Sequence, residues 1–294
     1  MNRRVIFDQK LLPYLLLFPQ VAVTLVFFIW PAAQAIWQST QLQDAFGLST
    51  VFVWFENYEI VLADPDYFNS ARTTVVFALS VTGLSMTLAL LFAAMADAQI
   101  KGKTAYQALL IWPYAVAPAV SALLWVFIFH PNIGIVGRKL NDIGLHWDYK
   151  LVDGQALLLV ILAAAWKQVS YNFIFFLAAL QSIPKSVIEA SAIDGAGPVR
   201  RFATIVFPLI TPTTFFLLVV NLVYSFFETF GVIHALTKGG PGTATSTLIY
   251  KVYVEGAVNH NLGASAAQSV ILMIAVIALT VVQFRFIERK VHYG

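Results

Sequence analysis

The chain has 294 residues; 59% are hydrophobic, only 11% are charged, and the formal net charge is +3. A soluble domain carries roughly 25% charged residues and about 45–50% apolar ones, so this composition excludes a water-soluble globule and describes an integral membrane protein. The absence of cysteine excludes disulfides, thiolate metal sites and thiol nucleophiles, and so small a net charge gives nucleic acid no basic face to bind.

A helix needs about 20 mostly apolar residues to cross the hydrocarbon core. Six stretches in chain order qualify: 12–36, 72–96, 105–129, 155–181, 208–235 and 265–287. Strands of a membrane barrel alternate polar and apolar residues, whereas Leu88-Ala89-Leu90-Leu91-Phe92-Ala93-Ala94 does not. The predicted fold is an all-α integral membrane protein, a single domain over 1–294 with six transmembrane helices.

The first span starts behind Arg3 and Arg4, and Ala33-Gln34-Ala35 resembles a signal cleavage site. A signal core runs only about 7–15 apolar residues, but here the apolar run extends from Leu11 to Trp30, so an uncleaved span is expected. The loop 37–71 contains a short amphipathic stretch from Glu56 to Leu62 and a turn signal at Asp64-Pro65-Asp66. It is read either as a helix on the membrane surface or as a solvated connector.

Basic residues in short loops set orientation. Arg3, Arg4, Lys10, Lys101, Lys103, Lys185, Arg200, Arg201, Arg285, Arg289 and Lys290 fall on one side. Arg72, Arg138, Lys139, Lys150, Lys238 and Lys251 fall on the other, together with most of the acids. Both termini are therefore expected in the cytoplasm.

Several polar residues interrupt the apolar spans. Lys167, Gln168, Ser170, Tyr171 and Asn172 cluster in the fourth, and Asn221, Tyr224, Ser225 and Glu228 recur at three- and four-residue spacing in the fifth, which places them on one helix face. Such groups usually face a bundle interior or a water-filled cavity. One reading is a polar path, with Lys167, Tyr171, Asn172, Asn221, Tyr224 and Glu228 near mid-membrane. The other is structural: Lys167 snorkels or pairs with Glu228, and the amides only join helices. Pro113, Pro118, Pro208 and Pro212 can interrupt helical hydrogen bonding and suit a moving gate or a static bundle. The histidines stand singly, so no metal site is expected.

The cytoplasmic link 182–207 breaks the pattern of plain loops. Pro184 permits a sharp helix start, Lys185 to Ile193 is long enough for two turns, and Gly195 and Gly197 can stop them. A second short amphipathic piece is expected over 200–207, with Pro208 opening the next span. The result is a helix–turn–helix knob that presents small residues.

Glu189-Ala190-Ser191-Ala192-Ile193-Asp194-Gly195-Ala196, followed by Phe202, Ile205 and Pro208, resembles the EAA motif of ABC importer permeases; Ser191 stands where the family pattern has a second Ala. Leu12-Pro13-Tyr14, Trp30-Pro31, Asn57-Tyr58 and Thr237-Lys238-Gly239-Gly240-Pro241 extend the resemblance to the carbohydrate-uptake type. Trp112-Pro113-Tyr114-Ala115-Val116-Ala117-Pro118, Trp166-Lys167-Gln168-Val169-Ser170-Tyr171-Asn172 and Asn221-Leu222-Val223-Tyr224-Ser225-Phe226-Phe227-Glu228 resemble its sn-glycerol-3-phosphate branch.

The resemblance implies a type I importer fold and a cytoplasmic coupling helix bearing Glu189, Ala190, Ser191, Asp194, Gly195 and Ala196. It also implies a bacterial inner-membrane location and three kinds of partner: a second related permease, an ATPase dimer holding ATP and Mg, and a periplasmic binding protein. No G-x-x-x-x-G-K-[ST] phosphate loop is present, so ATP hydrolysis is expected on the separate ATPase and this chain is expected to be no enzyme and to bind no cofactor. The implied cargo is sn-glycerol 3-phosphate, with a sugar or glycerophosphodiester as the alternative. An ion-coupled secondary transporter is the weaker competitor, because Glu228 is the sole acid well inside a span.

Overall fold

The computed structural model describes residues 11–43, 49–98 and 102–287. Arg3, Arg4, Lys10, Lys101, Arg289 and Lys290, used above for orientation, lie outside the described residues, as do both chain ends. The chain divides into two compact units, one drawn from Met1–Ala63 and Val252–Ile271 and the other from Asp64–Lys251 and Leu272–Gly294.

The first unit starts with helix α1, Leu12–Gln38, which contains one widened turn at Leu25–Ile29. None of its most apolar stretch is buried against the rest of the chain. Strands β1 (Gln41–Gln43) and β2 (Thr50–Phe52) pair antiparallel, with Leu42 opposite Val51. Strands of three residues are too short to give a readable alternation, so the hairpin had no sequence signal. Helix α2, Glu56–Ala63, forms where the amphipathic stretch was expected and buries Asn57 and Val61. The Asn57 amide donates to the carbonyls of Ser39 and Gln41, each at 2.9 Å, which fastens α2 to the end of α1 and to β1.

The second unit is built on two long helices, α3 (Pro65–Asp97) and α7 (Asp153–Gln181), which make the most extensive helix pairing in the fold. α3 starts well before the expected residue 72. Asp64 accepts the Asp66 amide at 2.9 Å and Pro65 occupies the first turn, so the expected turn signal is a helix cap. Asp64 also pairs with Lys251 at 2.9 Å. Partial burial pushes its carboxyl up, but the Lys251 hydrogen bond, the Asp66 amide and the Lys251 charge outweigh that and hold it below the ordinary carboxylate value. Ala89, Ala93 and Ala96 form a small-residue stripe on α3 that lets Val169, Phe173, Phe176 and Leu180 of α7 approach closely.

Between these helices the expected apolar stretch 105–129 forms two helices, α4 (Lys103–Ala115) and α5 (Pro118–Phe129), bent by 106°. The physical reason is Pro118, which forces the preceding residue out of the helical region; Ala117 adopts φ −59°, ψ 141° and Val116 φ −81°, ψ 130°. A short helix α6, Ile135–Asp142, follows in the loop.

After α7 come α8 (Lys185–Ile193) and α9 (Pro198–Leu209), the latter with a widened turn at Phe202–Val206. Pro208 lies inside α9 rather than opening the span; α10, Thr211–Phe227, opens with Pro212 after a 70° bend. The expected fifth span 208–235 is interrupted again at Glu228 and Thr229 before α11, Phe230–Leu236.

The next loop, 237–247, is stitched to α3. The Leu248 amide donates to Thr74 Oγ1 at 2.8 Å and the Thr245 amide to the Gly239 carbonyl at 3.1 Å. Gly239 has φ +79°, and a Cβ there would meet the Tyr250 ring at 2.5 Å. Helices α12 (Leu248–Tyr253) and α13 (Leu262–Val282) complete the chain, α13 running into a widened turn at Gln283–Ile287. Among the described residues four helices are long and apolar enough to cross a membrane, and the α4–α5 and α9–α10 pairs meet the same test jointly.

Candidate functional site

Two places gather the residues singled out from the sequence. The first is a cavity of about 560 Å³ walled by α4, α5, α7 and α10. Lys167, Gln168 and Tyr171 come from one face of α7, Tyr224 from α10, and Glu228 from the residue that ends α10; Tyr114 and Pro118 close the side at the α4–α5 break. The Tyr171 and Tyr114 rings lie 5.7 Å apart. Lys167 donates to the Val116 carbonyl at 2.8 Å and not to Glu228, so the Lys167–Glu228 pair that the structural alternative offered does not form. Glu228 is exposed at the rim. Tyr224 is only 8% exposed, yet its hydroxyl has no protein partner.

Asn172 and Asn221 are set apart from this cavity. Both are fully buried. The Asn221 amide donates to Asn172 Oδ1 at 2.7 Å, and the Asn172 amide donates to Asn221 Oδ1 at 3.0 Å and to Ser85 Oγ at 3.2 Å. The Ser85 hydroxyl donates to Asn221 Oδ1 at 3.1 Å. This network joins α3, α7 and α10. The polar stripe of α10 thus divides: Asn221 turns to the helix core, while Tyr224 and Glu228 line the cavity. Ser85 was missed, because nothing in the sequence sets it apart from Ser80, Thr82 and Thr87 beside it; the part played by Val116 was missed because it uses only its backbone.

The second place is the knob formed by α8 and α9. α8 ends in a Schellman closure: the Gly195 amide donates to the Ala192 carbonyl and the Ala196 amide to the Ser191 carbonyl, both at 3.1 Å. Gly195 takes φ +81°, the left-handed position that glycine fills without a steric penalty. Ser191 is buried and donates to the Ile188 carbonyl at 2.7 Å. Glu189, Ala190, Asp194 and Gly195 are exposed and Ala196 is half-buried. At the tip Ile193 and Val199 are 86% and 82% exposed, an apolar pair presented outward.

Residues 85–293 match the family model described as "Binding-protein-dependent transport system inner membrane component". The chain belongs to this family. A binding-protein-dependent inner membrane component of the ABC importer type is what the EAA resemblance implied. Among its relatives, the sn-glycerol-3-phosphate transport system permease protein UgpA of Rhizobium meliloti (strain 1021) is 58% identical over 292 residues, covering 99% of this chain and 100% of that one. The protein of the same name from Brucella abortus biovar 1 is 60% identical over 292 residues, with the same coverage. A bacterial alginate ABC transporter, solved in complex with an alginate pentasaccharide-bound periplasmic protein, shares the fold at TM-score 0.82 and 21% identity, with 96% of each chain covered. A second alginate importer structure gives TM-score 0.76 at 24% identity, covering 94% of this chain and 96% of that one. Such inner membrane components are transport subunits, and the apolar helices of this one make it a multi-pass membrane protein.

Proposed function

We propose that the chain is a permease subunit that moves sn-glycerol 3-phosphate across the inner membrane by alternating access. The observation that carries this reading is 58% identity to a relative of that name over essentially the whole of both chains. In this reading each bent helix pair counts as one span, giving six, with both termini in the cytoplasm. One six-span chain supplies half a pathway, so a second related permease faces it and a periplasmic binding protein delivers cargo. ATP and Mg belong to a separate ATPase dimer.

The knob is the proposed coupling element. Glu189, Ala190, Ser191, Asp194, Gly195 and Ala196 shape or present a surface to the ATPase, and Ile193 and Val199 supply apolar contact that water would otherwise face. Closure of the ATPase dimer pushes α8, and the push passes through α9 into α10. The proposed cargo path runs by Lys167, Tyr171, Tyr224 and Glu228; Lys167 supplies positive charge for a phosphate and the tyrosines supply hydroxyls. Asn172 and Asn221 belong to the path as the clamp behind its wall. Glu228 repels an anion, which suits a site that must release what it binds.

The test is ATPase stimulation of the purified complex in lipid with its loaded binding protein, across sn-glycerol 3-phosphate, a glycerophosphodiester and a neutral disaccharide. Strongest stimulation by sn-glycerol 3-phosphate is expected; stimulation by the disaccharide alone would assign the permease to a sugar.

A further inference from the structure

Two helix breaks meet at the path cavity. α4 stops at Ala115 and α5 starts at Pro118; α10 stops at Phe227 and α11 starts at Phe230. Pro118 from one break and Glu228 from the other line the same space. Beyond the breaks α5 and α11 pack together, with Gly231 so near that a Cβ would touch Pro118 at 3.6 Å.

A break leaves a backbone carbonyl without its helical donor, and within a membrane that group must be satisfied by another part of the protein or by water. At Val116 the donor is the Lys167 ammonium, 2.8 Å away on unbroken α7. An ammonium has three donors, and Lys167 also lines the cavity. Tyr224 lines the same space, on a residue 8% exposed, and its hydroxyl, itself shut off from water, has no protein partner. A phosphate oxygen is a stronger acceptor for an ammonium than a neutral carbonyl is.

We propose that Lys167 is a positioning residue that holds the α4–α5 break through the Val116 carbonyl, and that the phosphate of a phosphomonoester cargo takes the ammonium away from that carbonyl. The freed carbonyl turns to water in the cavity, and α5 with α11 loses one of its ties to α7, leaving packing such as Trp125 on Trp166. Cargo arrival and movement of the outer helix pair are thereby one event. This rests on the reading of the chain as a phosphate-ester permease.

The chain has no cysteine, so spin labels at Leu109→Cys on α4 and Phe127→Cys on α5, 75% and 64% exposed, report the bend in an otherwise cysteine-free complete complex. Distances are measured in nanodiscs without nucleotide, and uptake in liposomes of the same preparation. In the unaltered Lys167 background, binding protein loaded with sn-glycerol 3-phosphate should shift the distance, and empty binding protein should not. Lys167→Met should show the shifted distance with no cargo, no further response, and uptake lower by about tenfold; Lys167→Arg should restore both.

A Lys167→Met complex with the original distance overturns the proposal. So does an original complex that takes up cargo with no change in distance, a result that needs no variant to assemble. An original complex that takes up no sn-glycerol 3-phosphate sinks the functional reading instead, and the cargo-free comparison with Lys167→Met still decides whether Lys167 holds the break.

Discussion

Asn172 and Asn221 satisfy each other where water does not reach, and Ser85 completes the set. Removing one amide takes away part of the other's bonding, since Asn221 keeps the Leu217 carbonyl and both keep Ser85, but a polar atom left unpaired in the core costs about 1–3 kcal/mol. Asn221→Leu should therefore lower the melting temperature of the purified complex, and Asn172→Leu should do the same. The double variant should lose less than the two single losses combined, because no half-satisfied amide remains. Single variants that melt like the original would show the network to be energetically idle. At this scale the sequence was legible in kind but not in direction. Polar side chains inside apolar spans announced an inward face, yet the three- and four-residue spacing of Asn221, Tyr224 and Glu228 suggested one common surface. A helix face spans a wide arc, so Asn221 sits against α3 and α7 while its neighbours reach the cavity. The partner of Lys167 was illegible, since a backbone carbonyl has no letter of its own.

At the scale of elements, the knob was the most readable piece of the chain. Glycine stops, a proline start and a helix-length run between them are local signals, and α8 with its Gly195 closure needs no distant contact to form. A Cβ at Gly195 meets nothing within 4 Å, and aspartate tolerates the left-handed conformation better than most residues. Gly195→Asp should therefore insert and assemble normally while uptake falls to background, the loss arising at the surface proposed to meet the ATPase. Full uptake by a well-expressed Gly195→Asp protein would remove the knob from the coupling path. The long helices α3 and α7 were equally legible from their apolar runs. The broken ones were half legible: Pro113, Pro118, Pro208 and Pro212 flagged weak points, but a bend of 106° is set by what packs on each half, which α11 supplies for α5 from a hundred residues away.

For the whole molecule the apolar, mostly helical character was plain from the sequence; the hairpin was not, because its strands have only three residues each, and the α10–α11 interruption was not, because neither Glu228 nor Thr229 is a helix breaker. The charge distribution yields a sharp expectation for topology. Reporters fused after Gly102, Gly197 and Gly294 should read cytoplasmic, and those after Gly47, Gly144 and Gly242 periplasmic; one reversed reading would mean that a bent pair turns back instead of crossing. Helix α1 carries a different consequence. None of its most apolar stretch is buried among the described residues, and lipid tails are as apolar as leucine, so hydrophobicity alone does not favour protein over lipid around it. Shape then decides its neighbours. Exchange of one bulky aliphatic residue for another along α1 changes its contour but not its fitness for lipid, so its neighbours would be chosen by the fit of ridges and hollows rather than by greasiness.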